Sequence, residues 1–130
     1  MSAGFTLVQA IFIIVVLGLL GTFMVKMFQV QSRTTTLSHQ GIRAYYAACS
    51  GLEWAKNKTL ASNNCTAVND NAGWKINNFV VNASCTARTY TEGSDEIQWF
   101  RLNATAEYGA PANPDYVRRK VTVQVVNATN

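Results

Sequence analysis

The sequence predicts an α+β chain: a long N-terminal α-helix, transmembrane and then amphipathic, packs on an antiparallel β-sheet head of three or four strands. Three observations carry this. No charged residue occurs from Phe5 to Val25. No proline interrupts residues 26 to 56, where small and apolar residues recur at steps of three and four. Beyond Lys75, three segments alternate apolar and polar side chains with a period of two.

The first segment is interrupted only by Thr6, Gln9 and Thr22, and as a helix it is long enough to cross the roughly 30 Å hydrocarbon layer of a bilayer. A cleaved secretory signal would need a basic start, a shorter apolar stretch and a small-x-small exit site, whereas this run opens on Met-Ser-Ala-Gly and ends at Lys26-Met-Phe-Gln. Helical character continues past it. Leu37, Gly41, Ala44, Ala48, Leu52 and Ala55 form one stripe of mostly small residues suited to close approach to a sheet, with Tyr45 and Trp54 flanking it. Thr34-Thr35-Thr36 and Gly41 weaken this helix locally, the glycine by about 1 kcal/mol.

After Lys58 the composition turns to Ser62–Thr66 and Asn69–Gly73, both turn-like. Strands are expected at Lys75–Arg88, Glu96–Tyr108 and Tyr116–Val126, joined by Glu92-Gly93-Ser94-Asp95 and by a loop containing Pro111 and Pro114. Each strand has a dry and a wet face, so a simple antiparallel meander with its dry face on the helix stripe is the economical arrangement.

Charge is laid out unevenly. All seven acidic residues lie at or after Glu53, and before it stand only Lys26, Arg33 and Arg43, spaced along a helix and not clustered. That spacing argues against a nucleic-acid tract, leaving Arg118-Arg119-Lys120 as the one local basic candidate, where a charge-protected edge strand is the preferred reading. Positive-inside logic alone would place the three early cations in the cytoplasm, an orientation opposite to that implied by the cysteines; a basic extension upstream of the present start would reconcile the two.

Three cysteines behind a membrane segment indicate an oxidising compartment and one disulfide. Cys65 and Cys85 flank a turn-rich stretch of the polar head, while Cys49 lies in the helical pattern, so Cys65 is expected to pair with Cys85, at about 3 kcal/mol on the chain-entropy account. No CxxC or CxxH pair exists and the single histidine, His39, is remote, so neither a metal site nor a cofactor is expected. His39 and Cys49 are ten residues apart on one helix, too far for a nucleophile–base pair, and no GxSxG, P-loop or dinucleotide pattern occurs; an enzyme is not expected. Asn-x-Ser/Thr triplets such as Asn57-Lys-Thr59 and Asn82-Ala-Ser84 would suit a signal-anchored glycoprotein, but several fall inside expected strands and are read as composition.

Gly4-Phe5-Thr6-Leu7-Val8-Gln9 followed directly by an apolar helix resembles the type IV prepilin signature. Ala44-Tyr45-Tyr46-Ala47-Ala48-Cys49-Ser50-Gly51-Leu52-Glu53-Trp54-Ala55 is similar to the helix segment of minor pilins, and Leu102-Asn103-Ala104-Thr105-Ala106 and Pro114-Asp115-Tyr116-Val117 resemble those of mannose-sensitive haemagglutinin (MSHA) pilus biogenesis. The resemblance covers most of the chain. It implies a pilin-like fold with a short leader at 1–4, a transmembrane and filament-core helix at 5–25, its amphipathic continuation at 26–58 and a disulfide-bearing β head at 59–130. It implies cleavage by a prepilin peptidase between Gly4 and Phe5, methylation of Phe5, storage in the bacterial inner membrane with the head in the periplasm, and incorporation into a pilus with other pilin subunits by an inner-membrane assembly machinery. Where the family usually has a glutamate this chain has Gln9, which offers hydrogen bonds but no charge to a neighbour's N-terminal ammonium; rare incorporation or a tip position is then expected. A type II secretion pseudopilin and a non-polymerising anchored periplasmic binding protein are the alternatives.

Overall fold

The computed structural model describes the backbone of residues 3–128 and the side chains of residues 6–127. Met1 and Ser2 of the expected leader, the side chain of Phe5, and Thr129 of the last Asn-x-Thr triplet lie outside the described residues. The chain divides into two units, Met1–Thr36 and Leu37–Asn130.

In the first unit, everything described belongs to helix α1 (Ala3–Ser62). Polar side chains that propensity disfavours are satisfied on the helix itself. The Thr22 hydroxyl donates to the Leu19 carbonyl at 2.8 Å, and those of Thr34, Thr35 and Thr36 donate to the carbonyls of Val30, Gln31 and Ser32 at 2.9, 3.0 and 3.1 Å. The threonine run therefore does not break the helix.

The second unit holds the rest of α1, a short helix α2 (Thr66–Asn69), and strands β1 (Trp74–Ile76), β2 (Phe79–Glu92), β3 (Asp95–Tyr108) and β4 (Val117–Ala128). The strands form one antiparallel meander in the order β1-β2-β3-β4. The architecture is α+β with the helix on a four-stranded sheet, as the sequence predicts. Two details differ. The strand expected from Lys75 to Arg88 is a hairpin, because Asn77 and Asn78 both take positive φ (47° and 70°) and reverse the chain after Ile76. Two positive φ values in a two-residue turn suit the twist of a hairpin, and asparagine adopts them at low cost. The stretch expected as pure loop contains α2, started by an Asn64 Oδ1 that accepts the Thr66 N–H at 3.1 Å. The β2–β3 hairpin turns at Gly93-Ser94, with φ of 66° at the glycine.

Gly41, Ala44, Ala47, Ala48, Gly51, Ala55 and Thr59 form the buried face of α1. Leu37, expected at the head of this stripe, is exposed, and Leu52 is half-buried. The helix instead approaches the sheet through residues with little or no side chain. A methyl added at Gly51 would stand 2.6 Å from Val81 Cγ1 and 3.5 Å from Ala104 Cβ. Two core clusters result. One joins Ala44, Ala47 and Ala48 to Phe79, Val81, Ala106 and Val117; the other joins Ala55 to Val68, Cys85, Phe100 and Leu102. Trp54 and Trp74 close the flank with rings 4.8 Å apart.

Candidate functional site

The first candidate surface is the apolar part of α1. It is long and apolar enough to cross a membrane, and its side chains are turned outward all round: Phe12 is 68% exposed, Ile14 70% and Phe28 73%. A helix apolar on every side presents no polar face of its own. Gln9 is exposed within this stretch. The backbone of Gly4 and Phe5 is already helical.

On the helical part of the second unit, His39 is exposed and Cys49 is half-buried. Cys49 meets Tyr45 one turn earlier. Its hydrogen bond and negative charge push the Tyr45 phenol above its ordinary value. Among the described residues, no three His, Cys, Asp or Glu side chains come together as a metal site would need.

Cys65 and Cys85 are joined by a disulfide, with Cα atoms 5.2 Å apart. The bond is one of three fastenings that hold α2 against β2. Val68 is fully buried in the second core cluster. The Asn69 side chain accepts the Cys85 N–H at 2.8 Å and donates to the Cys85 carbonyl at 3.0 Å, taking the place of a neighbouring strand. Sequence reasoning passed over Asn69 because an asparagine in an Asn-rich stretch reads as turn composition. Thr59 was also passed over; it is fully buried and its hydroxyl donates to Cys85 Sγ at 3.7 Å.

The basic run opens β4, an edge of the sheet. Arg118 pairs across the ladder with Glu107 at 3.0 Å. Arg119 reaches the other face, where its guanidinium lies over Gly41. The three cations are therefore divided between two faces, which is not the arrangement of a nucleic-acid track. On the face away from the helix, Thr86, Arg88, Tyr90, Trp99, Arg101 and Gln124 line an open cavity of about 370 Å³, with the Arg101 guanidinium 5.0 Å from the centre of the Trp99 ring.

These features define an α+β chain with a helix able to span a membrane and a disulfide-bearing sheet. Comparison with known protein families, with curated proteins and with solved structures gives no match to this chain.

Proposed function

We infer that the chain is a structural minor-pilin-like subunit of a type IV, MSHA-like pilus, resembling MshP. The apolar surface of α1 is the observation that carries this reading, since it begins directly behind Gly4-Phe5-Thr6-Leu7 and is exposed on every side. Prepilin peptidase cuts between Gly4 and Phe5 and the new terminus is methylated. The helix then anchors the subunit in the inner membrane, with the sheet in the periplasm, where an oxidising environment maintains Cys65–Cys85. On assembly the surface passes from acyl chains to sister helices. Apolar burial is exchanged and not newly created, so an energy-driven assembly machine has to supply the work.

Gln9 sets the position in the fibre. A carboxylate there would offset part of the cost of burying a neighbour's terminal ammonium; an amide offers only hydrogen bonds. A subunit with Gln9 is incorporated seldom, or at the tip where the neighbour's ammonium has less need of a partner. The test is the mass of the N-terminal peptide together with the content of sheared surface fibres. An N-methylated Phe5 and a few copies per fibre are expected. Retention of Met1 with absence from the fibres would overturn the reading in favour of a simple membrane anchor.

A further inference from the structure

The face of the sheet turned away from α1 changes character along its length. Phe100 and Leu102 are buried on the helix side, so strand alternation puts Trp99 and Arg101 on the outer side, with Thr86, Arg88 and Tyr90 of β2 and Gln124 of β4 beside them. Near the start of β4 the charges on this face are matched, Arg118 with Glu107. Towards the β2–β3 turn they are not. Arg88 and Arg101 are exposed, and neither belongs to the ion pairs found among the described residues, Glu53 with Lys56 and Glu107 with Arg118.

The ladder sets these groups in a fixed order. Arg88 stands opposite Trp99 and Thr86 opposite Arg101, so the two arginines are diagonal neighbours with Cα atoms about 7–8 Å apart, and both long side chains can reach one anion. Trp99 holds the Arg101 guanidinium over its ring, 5.0 Å from the centre, which restrains the side chain while its N–H fork stays available to a carboxylate. Thr86 and Gln124 flank Arg101 from the two neighbouring strands and supply neutral donors and acceptors. One step nearer the turn, Tyr90 is 54% exposed opposite half-buried Ile97 and offers an aromatic surface to a ring. Glu92 and Asp95, the pair that closes the hairpin, come next on the same face.

We propose that the cavity of about 370 Å³ between the arginines and Tyr90 binds a sugar acid, a pyranose ring with one carboxylate in an otherwise neutral glycan. The carboxylate lies between Arg88 and Arg101, and the C–H face of the ring rests on Tyr90. Ring hydroxyls exchange hydrogen bonds with Thr86 and Gln124, and the hydroxyls of the next sugar donate to Glu92 and Asp95.

The order of charges selects this ligand over other anionic chains. A nucleic-acid strand carries a phosphate at every residue, so one laid from Arg101 to Tyr90 brings its next phosphate against Glu92 and Asp95. Its bases also need open aromatic faces, and one face of Trp99 is taken by Arg101. A wholly neutral glycan leaves both guanidiniums without a partner.

The site needs only the sheet, so its test is independent of N-terminal processing and of fibre content. The full chain, in micelles of a detergent with neither sugar nor charge in its headgroup, is titrated with cellobiouronate and with cellobiose, which differ only in the carboxylate. The indole N–H resonance of Trp99, assigned with Trp99→Phe, is followed by nuclear magnetic resonance. Cellobiouronate is expected to shift it saturably and to bind roughly tenfold or more tighter than cellobiose. Arg88→Gln and Arg101→Gln should each bring cellobiouronate down to the cellobiose level with an unchanged circular dichroism spectrum, since both side chains are exposed. Lys120→Gln, on the same face but outside the cavity, should change its affinity less than about twofold. A missing shift, equal affinity for the two disaccharides, or a loss on Lys120→Gln as large as that on Arg101→Gln would overturn the proposal. So would an oligothymidylate that binds more tightly than cellobiouronate.

Discussion

Gly51→Ala sets two effects of opposite sign against each other, and the structure decides between them. Alanine is favoured over glycine inside a helix by about 1 kcal/mol, so on propensity alone the substitution would stabilise α1. The new methyl, however, would lie 2.6 Å from Val81 Cγ1, with Ala104 Cβ and Trp74 Cζ2 at 3.5 and 3.6 Å. Val81 is fully buried and, being β-branched, has little rotamer freedom with which to withdraw. Overpacking of this kind costs about 1–3 kcal/mol, and a contact this short belongs at the upper end. The net effect is a loss of about 1–2 kcal/mol, or roughly 5–10 °C in melting temperature for a unit of this size. Thermal unfolding of the full chain in micelles, followed by tryptophan fluorescence, measures it, since Trp74 stands beside the added methyl. Gly18→Ala is the control, because the space around Gly18 is open and only propensity changes. Combining Gly51→Ala with Val81→Ala should recover about 1 kcal/mol relative to the sum of the two single changes. A Gly51→Ala chain that melts at or above the wild-type temperature would refute the reasoning that close approach, and not merely small size, selects glycine here.

Asn69→Ala is expected to cost about 2 kcal/mol, since it leaves both backbone groups of Cys85 without their partner; chemical denaturation measures the loss. Asn69→Asp should cost at least as much at neutral pH, because it keeps the acceptor for the N–H but turns a carboxylate oxygen towards the Cys85 carbonyl; protonation at low pH should restore part of the difference. Replacing Cys65 and Cys85 together by alanine should lower stability by about 3 kcal/mol in the same assay, while the single change Cys49→Ala leaves it within about 0.5 kcal/mol. Tyr45 should ionise above the ordinary tyrosine range, and Cys49→Ala should bring it down, read from tyrosinate absorbance. The sign follows from which form is favoured. Raising the folded value favours the neutral phenol, so this contribution is present below the ordinary tyrosine range and lost as pH rises through the raised value.

The readable parts of this chain were those where one physical rule acts alone. An uncharged run from Phe5 to Val25 admits few alternatives to an apolar helix, and the period of two in Leu102, Ala104 and Ala106 placed β3 to within one residue. Errors arose where two rules compete. Trp74 to Arg88 has strand composition throughout, and only the paired asparagines at 77 and 78 mark the reversal; in a chain this rich in asparagine that signal is diluted. Leu37 fits the helical period as well as Ala44 does, yet the sheet does not reach it, because the length of a buried stripe depends on the partner and not on the helix. Asn69 was invisible for another reason: its role depends on Cys85, sixteen residues away, and no local pattern encodes a side chain standing in for a strand.

The two apolar surfaces of α1 follow different logic. From Gly41 to Thr59 the helix is selected for thinness: it meets one sheet, and at Gly51 an added methyl is opposed by Val81, which is fully buried. From Leu7 to Val30 it carries bulky side chains on every side with open space around Gly18 and Gly21, which suits surroundings that rearrange to fit it, whether acyl chains or other helices. Core substitutions in the first region should therefore change the stability of the sheet-bearing unit and leave membrane insertion alone. Isosteric exchanges in the second, such as Leu17→Ile, should leave that stability unchanged and act only on what surrounds the helix. A Leu17→Ile chain with an altered unfolding temperature in its second unit would contradict this separation.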